Sequence, residues 1–234
     1  MIYVSSDWHG YPLDKIKALL ADAGFSKNDF LFVLGDVIDR GDDGVRILKW
    51  LMLQDNIELI LGNHEAMMLS NSWLFDEVTN DSLDALDSKK LSLLTHWQAN
   101  GCEPTLNALK RESAETRADI LDYLRDAPLY DSVSVDKRDF LLVHGGLGNY
   151  SESKRMSDYT PHELLWTRPE LSTQYSDSFT TVFGHTPTVT YSESYSGRML
   201  DNGSWINIDT GVSCGLAPML LRLDDMKEFY LPLS

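Results

Sequence analysis

The sequence predicts an α/β fold in which parallel strands come first and a second group of strands comes last. The first third of the chain alternates short apolar runs with amphipathic helical patterns. Residues 66–128 show only helical spacing, and strand-like apolar runs return in the remainder of the chain. A β-α-β-α-β order implies parallel strands joined by right-handed crossovers.

Three strands and two helices are predicted in the first third. The strands are the runs at residues 2–4, 30–34 and 57–61. The run at 30–34 is apolar throughout, which is typical of a strand buried on both faces. The first helix begins after Pro12 and ends at Gly24, since proline suits a helix start and glycine a helix end. The second helix lies near residues 42–54.

Residues 66–128 are interpreted as a helical insertion within a single domain that covers residues 1–234. Apolar residues recur there at helical spacing in two stretches, whereas Asp76 to Asp87 is acidic and loop-like. The later strands are predicted at residues 140–143, 180–183, 205–208, 219–223 and 228–231. Polar loops are predicted at residues 146–161 and 187–204.

The composition is that of a globular protein with a strongly acidic surface. The chain has 234 residues, 43% of them hydrophobic, which is enough for a full core. Its formal net charge is −16, from 20 basic and 36 acidic residues. Such a surface repels nucleic acid polymers and anionic membranes. A small phosphorylated substrate stays compatible, because bound cations reverse the sign of the field within one site.

Cysteine usage and hydropathy favour a cytoplasmic protein. Cys102 and Cys214 are far apart and belong to no C-x-x-C motif, which predicts a reducing compartment without a disulfide framework. The first residues lack the basic and apolar regions of a signal peptide. No apolar run approaches 18 residues, so we expect no membrane span.

Five polar clusters directly follow strand-like runs. They lie at residues 7–10, 35–41, 62–65, 143–146 and 183–187. Ligand sites in open α/β sheets form at the carboxyl ends of strands. We therefore expect the five clusters to meet in one site.

The first two clusters offer carboxylates and an imidazole. Asp7 and His9 are two residues apart at a strand end. Side chains at positions i and i+2 of a strand point the same way, so the two could bind one cation. Asp36 has two carboxylate oxygens and could bridge two cations. Asp39 and Arg40 follow within the same turn. Each of these residues also has an ordinary explanation as a helix N-cap or turn residue.

The other clusters offer an amide and three imidazoles. Asn63 supplies a neutral oxygen ligand, and His64 is a candidate acid whose pKa a neighbouring carboxylate could raise. The alternative is an N-cap followed by the first turn of a helix. His144 and His185 each end a strand beside glycine, where a single histidine is usually a core or turn residue. Arg168 could clamp phosphate oxygens, although most arginines are solvated or ion-paired.

Taken in order, the motifs D-x-H, G-D-x-x-D-R-G, G-N-H-E, H-G-G and G-H-T-P resemble those of the calcineurin-like metallophosphoesterases. Within that superfamily the chain is similar to the compact bacterial and phage-type Ser/Thr phosphoprotein phosphatases, over residues 3 to about 223. The resemblance implies a four-layer α/β/β/α sandwich of two mixed sheets with flanking helices.

The resemblance also implies a site with two divalent ions, manganese first and iron, zinc or cobalt as alternatives. The implied metal ligands are Asp7 and His9 for the first ion, Asp36 for both, and Asn63, His144 and His185 for the second. His64 would be the general acid, oriented by Asp39. Arg40 and Arg168 would bind the substrate phosphate with help from Asn63.

The implied reaction is hydrolysis of phosphoserine and phosphothreonine, and of phosphotyrosine as a further substrate, by a hydroxide held between the ions. The alternative is a dinucleoside polyphosphate hydrolase that uses the same site. Bacterial members of that branch typically lack the aspartate that matches Asp39 and carry Asp where Glu65 stands, so we favour the phosphatase. A scaffold without activity is a minor alternative, because all the expected ligands are present.

Overall fold

The computed structural model describes residues 1–75 and 87–231. Its helices are α1 (Leu13–Asp22), α2 (Gly44–Leu51), α3 (Asn63–Ser70), α4 (Ser88–Ala99), α5 (Glu103–Leu109), α6 (Ala114–Asp126) and α7 (Pro161–Leu165). Its strands are β1 (Ile2–Ser5), β2 (Phe30–Val33), β3 (Ile57–Leu59), β4 (Tyr130–Val135), β5 (Arg138–Val143), β6 (Thr180–Phe183), β7 (Leu200–Asp201), β8 (Trp205–Asn207), β9 (Met219–Arg222) and β10 (Lys227–Tyr230).

The described strands form two mixed sheets of five strands each. The first has the order β10-β9-β1-β2-β3, with β1, β2 and β3 parallel and β9 and β10 antiparallel to their neighbours. The second has the order β4-β5-β6-β8-β7, with β5, β6 and β8 parallel and the two edge strands antiparallel. The prediction of two mixed sheets with flanking helices is confirmed.

The two sheets pack face to face because their parallel strands are apolar on both sides. Along β2, Leu31 and Val33 point to the helices of the first sheet, whereas Phe32 points to the other sheet. Phe32 shares a buried cluster with Leu142 of β5. This alternation has the period of two that a strand imposes. The outer face of the second sheet is covered by α7 and nearby loops.

The helical segment after β3 joins the core on the first sheet's outer face. Asp87 caps α4 by accepting the backbone N–H of Lys90, and Ser113 caps α6 in the same way. Buried side chains of α4 and α6 lie in the same apolar cluster as α1 and α2. The placement of these helices within one domain stays a prediction. Most of the acidic stretch Asp76 to Asp87 lies outside the described residues.

Two strands and two helices were not predicted. β4 and β7 are edge strands. Polar residues interrupt the sequence of β4, and β7 has only two residues, one of them Asp201, so neither strand shows the apolar run of a central strand. β7 and two short 3₁₀ turns lie within the predicted loop at 187–204. α5 and α7 are short, and α7 is stabilised by a reciprocal cap between Thr160 and Glu163.

Within residues 1–75 and 87–231, none of the helices combines the length and the apolar character that a bilayer crossing demands.

Candidate active site

The predicted site residues meet where strands of both sheets end. Asp7 follows β1, Asp36 follows β2, Asn63 begins the helix after β3, and His144 and His185 follow β5 and β6. All five side chains are buried. One edge of the sandwich therefore gathers polar groups from five separate stretches of sequence, as the strand-end argument predicts.

The backbone turns sharply at these positions. Asp7, His9, Asp36 and His185 have φ angles of 54°, 42°, 55° and 63°, in the left-handed region that side chains other than glycine rarely adopt. Backbone hydrogen bonds hold the turns: the N–H of His9 donates to the carbonyl of Asp36 at 2.8 Å. Such strain persists where the surrounding structure holds it, and it is concentrated at functional sites.

The buried donor atoms form two groups that share Asp36. In the first, His9 Nε2 lies 3.9 Å from Asp7 Oδ1 and 3.8 Å from Asp36 Oδ2. In the second, His144 Nε2 lies 3.4 Å from Asp36 Oδ1 and 2.8 Å from Asn63 Oδ1. The carboxylate of Asp36 therefore faces both groups.

The donor set fits divalent cations. Ligand atoms of His9, Asp36 and His64, and those of Asp36, His144 and His185, lie within 4.8 Å of one another. Asp7 Oδ1 and His185 Nε2 are buried and have no hydrogen-bond partner among the described residues. A buried oxygen or imidazole nitrogen without a partner is costly unless it binds something. Carboxylate, amide and imidazole donors at this spacing are ligands for divalent metals.

The electrostatics favour the neutral, metal-binding form of His9 and His185. Burial lowers the pKa of His9 to about 3 and that of His185 to about 2, so both imidazoles are neutral near pH 7. Burial opposes the charge of Asp36, but the imidazoles of His144 and His64 hold its pKa well below the usual range. His144 in turn has a pKa raised to about 10 against its burial, mainly by Asp36. A cation bound here would replace that proton.

His64 and Asp39 form a buried pair next to these groups. The Nδ1 of His64 lies 2.6 Å from Asp39 Oδ2. The second ring nitrogen, Nε2, is not engaged by that carboxylate oxygen. Burial acts against protonation of His64, yet the charge of Asp36 and the hydrogen bond to Asp39 raise its pKa above the ordinary value. The two residues that the resemblance links as general acid and orienting carboxylate are therefore in contact, and their roles stay a prediction.

A pocket of about 130 Å³ lies over these groups and is lined by both predicted arginines. Arg40 donates to His9 Nε2 at 3.1 Å and to His64 Nε2 at 3.2 Å. Arg168 donates to the backbone carbonyl of His185 at 3.0 Å. Both arginines are exposed, so their guanidinium groups form the mouth of the pocket. A larger cavity of about 640 Å³ lies against β4 and β5 and contains none of the predicted site residues.

Several residues that were not predicted as site residues also line this pocket. Asp209 is buried, lines the pocket, and has a pKa raised well above its usual range by burial and by Asp7. It comes two residues after β8, and this position at a strand end is the signal that could have predicted it. Asn100 and Trp166 also line the pocket. Neither stands in a cluster that follows a strand.

The carboxylate of Glu65 links the turn that follows β2 to the turn that follows β3. It accepts the backbone N–H groups of Asp36 at 2.8 Å, of Val37 at 2.9 Å and of Gly62 at 3.1 Å. Gly62 passes so close to this network that an added Cβ would overlap Asp36 Oδ1, the backbone nitrogen of Asp36 and Glu65 Oε2.

We expect Gly62→Ala to lower the free energy of unfolding by roughly 1–3 kcal/mol, as overpacking does. Because Gly62 has a φ of −98°, which alanine tolerates, the loss would come from displacement of Asp36 and Glu65. The variant should also bind Mn²⁺ more weakly. Urea unfolding and metal titration measure the two effects. Gly203→Ala is the control for metal binding. Its φ of 89° makes alanine costly for stability, but the space around it is open, so the variant should keep wild-type Mn²⁺ affinity. Wild-type Mn²⁺ affinity in Gly62→Ala would contradict the expectation.

Comparison with known proteins finds a family model and several relatives that match this chain. The model of the family described as calcineurin-like phosphoesterase matches residues 1–208. A symmetrical bis(5'-nucleosyl)-tetraphosphatase from Chromobacterium violaceum is 25% identical over 169 residues, which is 68% of this chain and 47% of that protein. Another from Buchnera aphidicola subsp. Acyrthosiphon pisum (strain 5A) is 34% identical over 70 residues, 29% of this chain and 25% of that protein. The chain thus matches about half or less of these relatives' length.

Solved structures share the fold across the whole chain. One, described as "Crystal structure of a putative diadenosine tetraphosphatase", has a TM-score of 0.63 and 19% identity and covers 100% of this chain and 93% of that one. A protein serine/threonine phosphatase from Saccharomyces cerevisiae has a TM-score of 0.57 and 16% identity and covers 100% and 80%. At such identities the likeness concerns the fold alone.

Proposed function

Because this chain belongs to the calcineurin-like phosphoesterases, we propose that it hydrolyses phosphate monoesters, with phosphoserine and phosphothreonine in proteins as its substrate class. The observation that carries the proposal is the buried pair of His64 and Asp39, 2.6 Å apart, in a pocket whose mouth holds Arg40 and Arg168. An alcohol leaving group needs such a pair, because an alkoxide must take a proton as it departs.

The need for an acid separates the two classes of substrate. A serine alkoxide is nearly as basic as hydroxide, whose conjugate acid has a pKa of about 15.7. A phosphate leaving group has a pKa of about 6 and departs without a proton. An oriented imidazole is therefore useful for monoesters of alcohols and unnecessary for cleavage between phosphates.

Divalent ions would be held by the buried donor groups. When bound, such ions polarise phosphoryl oxygens and activate water. The proposed ligands are Asp7, His9 and Asp36 for one ion, and Asp36, Asn63, His144 and His185 for the other. Nitrogen and oxygen donors suit several metals, and Mn²⁺ is the first to test, followed by iron, zinc and cobalt.

The remaining residues would bind the phosphate and supply the proton. Arg40 and Arg168 can each offer a planar guanidinium to phosphate oxygens, and the Asn63 amide can assist. Moving Arg40 onto the substrate would free His64 Nε2, which it now contacts at 3.2 Å. That nitrogen could then carry the proton that the leaving oxygen receives. Cations bound to Asp36 would offset the effect of its negative charge on His64. Asp39 is then the partner that would keep His64 protonated.

A second candidate is the cleavage of dinucleoside tetraphosphates. The named relatives from Chromobacterium violaceum and Buchnera aphidicola favour it over the phosphatase prediction, and it is the alternative considered from the sequence. The same ligands and arginines would serve it, with little demand on His64. The net charge of −16 argues against nucleic acid polymers for either candidate.

Competition between substrates tests the proposal directly. Manganese-loaded enzyme receives a mixture of phosphoserine, phosphothreonine and phosphotyrosine peptides with diadenosine tetraphosphate, and samples are quenched with excess chelator before phosphorus NMR. We expect the phosphoserine and phosphothreonine signals to decay first. Faster loss of the internal tetraphosphate signals would replace the proposal by the second candidate. Asp36→Asn in the same mixture shows whether any decay depends on the site.

A further inference from the structure

We propose that Trp97 and Thr105, from the segment that comprises α4 and α5, are positioning residues for the acid that protonates the leaving group. The inference rests on the proposed role of His64 and Asp39. It goes beyond that role by assigning a task to a part of the chain that supplies no predicted metal ligand.

Trp97 and His64 bind the same carboxylate oxygen. The indole Nε1 of Trp97 donates to Asp39 Oδ2 at 2.8 Å, and His64 Nδ1 lies 2.6 Å from that atom. Asp39 and Trp97 are 0% exposed and His64 is 1% exposed, so water cannot replace either contact. Asp39 Oδ1 has no hydrogen-bond partner among the described residues. The indole donor is therefore a main restraint on rotation of the carboxylate, and through it on the imidazole plane.

The same segment holds the backbone of the Asp39–Arg40 turn. These residues have φ angles of 68° and 67°, in the left-handed region that is strained for side chains other than glycine. The N–H of Asp39 donates to Thr105 Oγ1 at 2.9 Å, and the N–H of Arg40 donates to the carbonyl of Gly101 at 2.9 Å. α4, α5 and their connection thus supply three hydrogen bonds to the turn that carries both Asp39 and a phosphate-binding arginine.

Trp97 is also part of the apolar core, so the experiment must separate the loss of its hydrogen bond to Asp39 from a loss of core packing. Trp97→Phe removes the donor and keeps an aromatic ring. We expect kcat for a phosphoserine peptide to fall roughly 10- to 100-fold, as for a lost hydrogen bond to a charged group. Hydrolysis of p-nitrophenyl phosphate, whose leaving group needs no proton, should change about twofold at most. The KM values should change little.

Trp205→Phe is the matched control, because Trp205 is equally buried and its indole donates to the carbonyl of Thr173, far along the chain from the site turn. Trp205→Phe should change the hydrolysis rates of the phosphoserine peptide and of p-nitrophenyl phosphate by the same factor. In the metal-free protein, the His64 Nδ1 proton resonance should shift or broaden in Trp97→Phe and stay unchanged in Trp205→Phe. Thr105→Val should reproduce the selective loss and Thr105→Ser should restore it, which keeps the test decisive if Trp97→Phe folds poorly.

A double-mutant cycle with His64→Asn completes the experiment. Trp97→Phe should cost nothing further on the phosphoserine peptide once His64 is absent. Equal losses on both esters, or additive losses in the cycle, would overturn the positioning role and leave the proposed function standing. If His64→Asn itself slows both esters equally, the acid role of His64 fails, and this inference fails with it. The substrate class is tested separately, by the competition between substrates.

Discussion

Replacing His64 by asparagine should slow hydrolysis of a phosphoserine peptide by roughly 10²- to 10⁴-fold, the range for loss of a general acid. Asparagine removes the Nε2 that would protonate the leaving oxygen. It also ends the 2.6 Å contact between His64 Nδ1 and Asp39 Oδ2. Single-turnover kinetics with manganese-loaded enzyme would measure the chemical step without product release.

Two comparisons test whether the slower rate comes from the loss of a general acid. The loss on p-nitrophenyl phosphate should be much smaller, because its leaving group departs as an anion. His162→Asn is the control, since His162 lies on α7, is exposed and lines no part of the pocket. A variant that hydrolyses the phosphoserine peptide at the wild-type rate would contradict the acid role of His64.

Replacing Asp36 by asparagine should remove most of the bound metal and lower kcat/KM by about 10³-fold or more. Several kcal/mol of transition-state stabilisation come from bound cations, and each 1.36 kcal/mol is a factor of ten in rate. Asp36 faces both groups of donors, with oxygens 3.8 Å from His9 Nε2 and 3.4 Å from His144 Nε2. The amide keeps the shape and one acceptor, but it lacks the charge that two neighbouring cations require.

Metal content after dialysis, measured by atomic emission, checks this expectation alongside the rate. Asp122→Asn is the matched control, because Asp122 is an exposed residue of α6 whose ion pair with Arg125 lies on the surface. It should keep wild-type metal content and rate. Full metal content in Asp36→Asn would show that Asp36 is not the shared ligand.

The central strands and the ends that carry the site could be predicted because both have local signals. Strands such as 30–34 are apolar at every position, which is rare outside a sheet buried on both faces. Asp36 and Asn63 come directly after such runs, so their meeting point followed from the topology of parallel strands. Their assignment to particular ions stays a prediction.

What could not be predicted depends on contacts between distant segments. β4 pairs with β5 through a hairpin at the edge, where polar residues are tolerated and the apolar signal is weak. Trp97 is 58 residues from Asp39 and looks like any core residue of an amphipathic helix, so nothing local marks its hydrogen bond. Asp209 has a local signal, since it follows β8, but it stands beside no histidine that would mark the turn as part of a metal site.

The position of β1 has a consequence for how the chain matures during synthesis. β1 lies between β2 and β9, and Ser5 of β1 is separated along the chain from Met219 of β9 by 214 positions. Until Met219–Arg222 leave the ribosome, one edge of β1 is unpaired and open to association with other chains. Asp7 directly follows that strand. The strand that positions Asp7 is therefore fully paired only after β9 has been made.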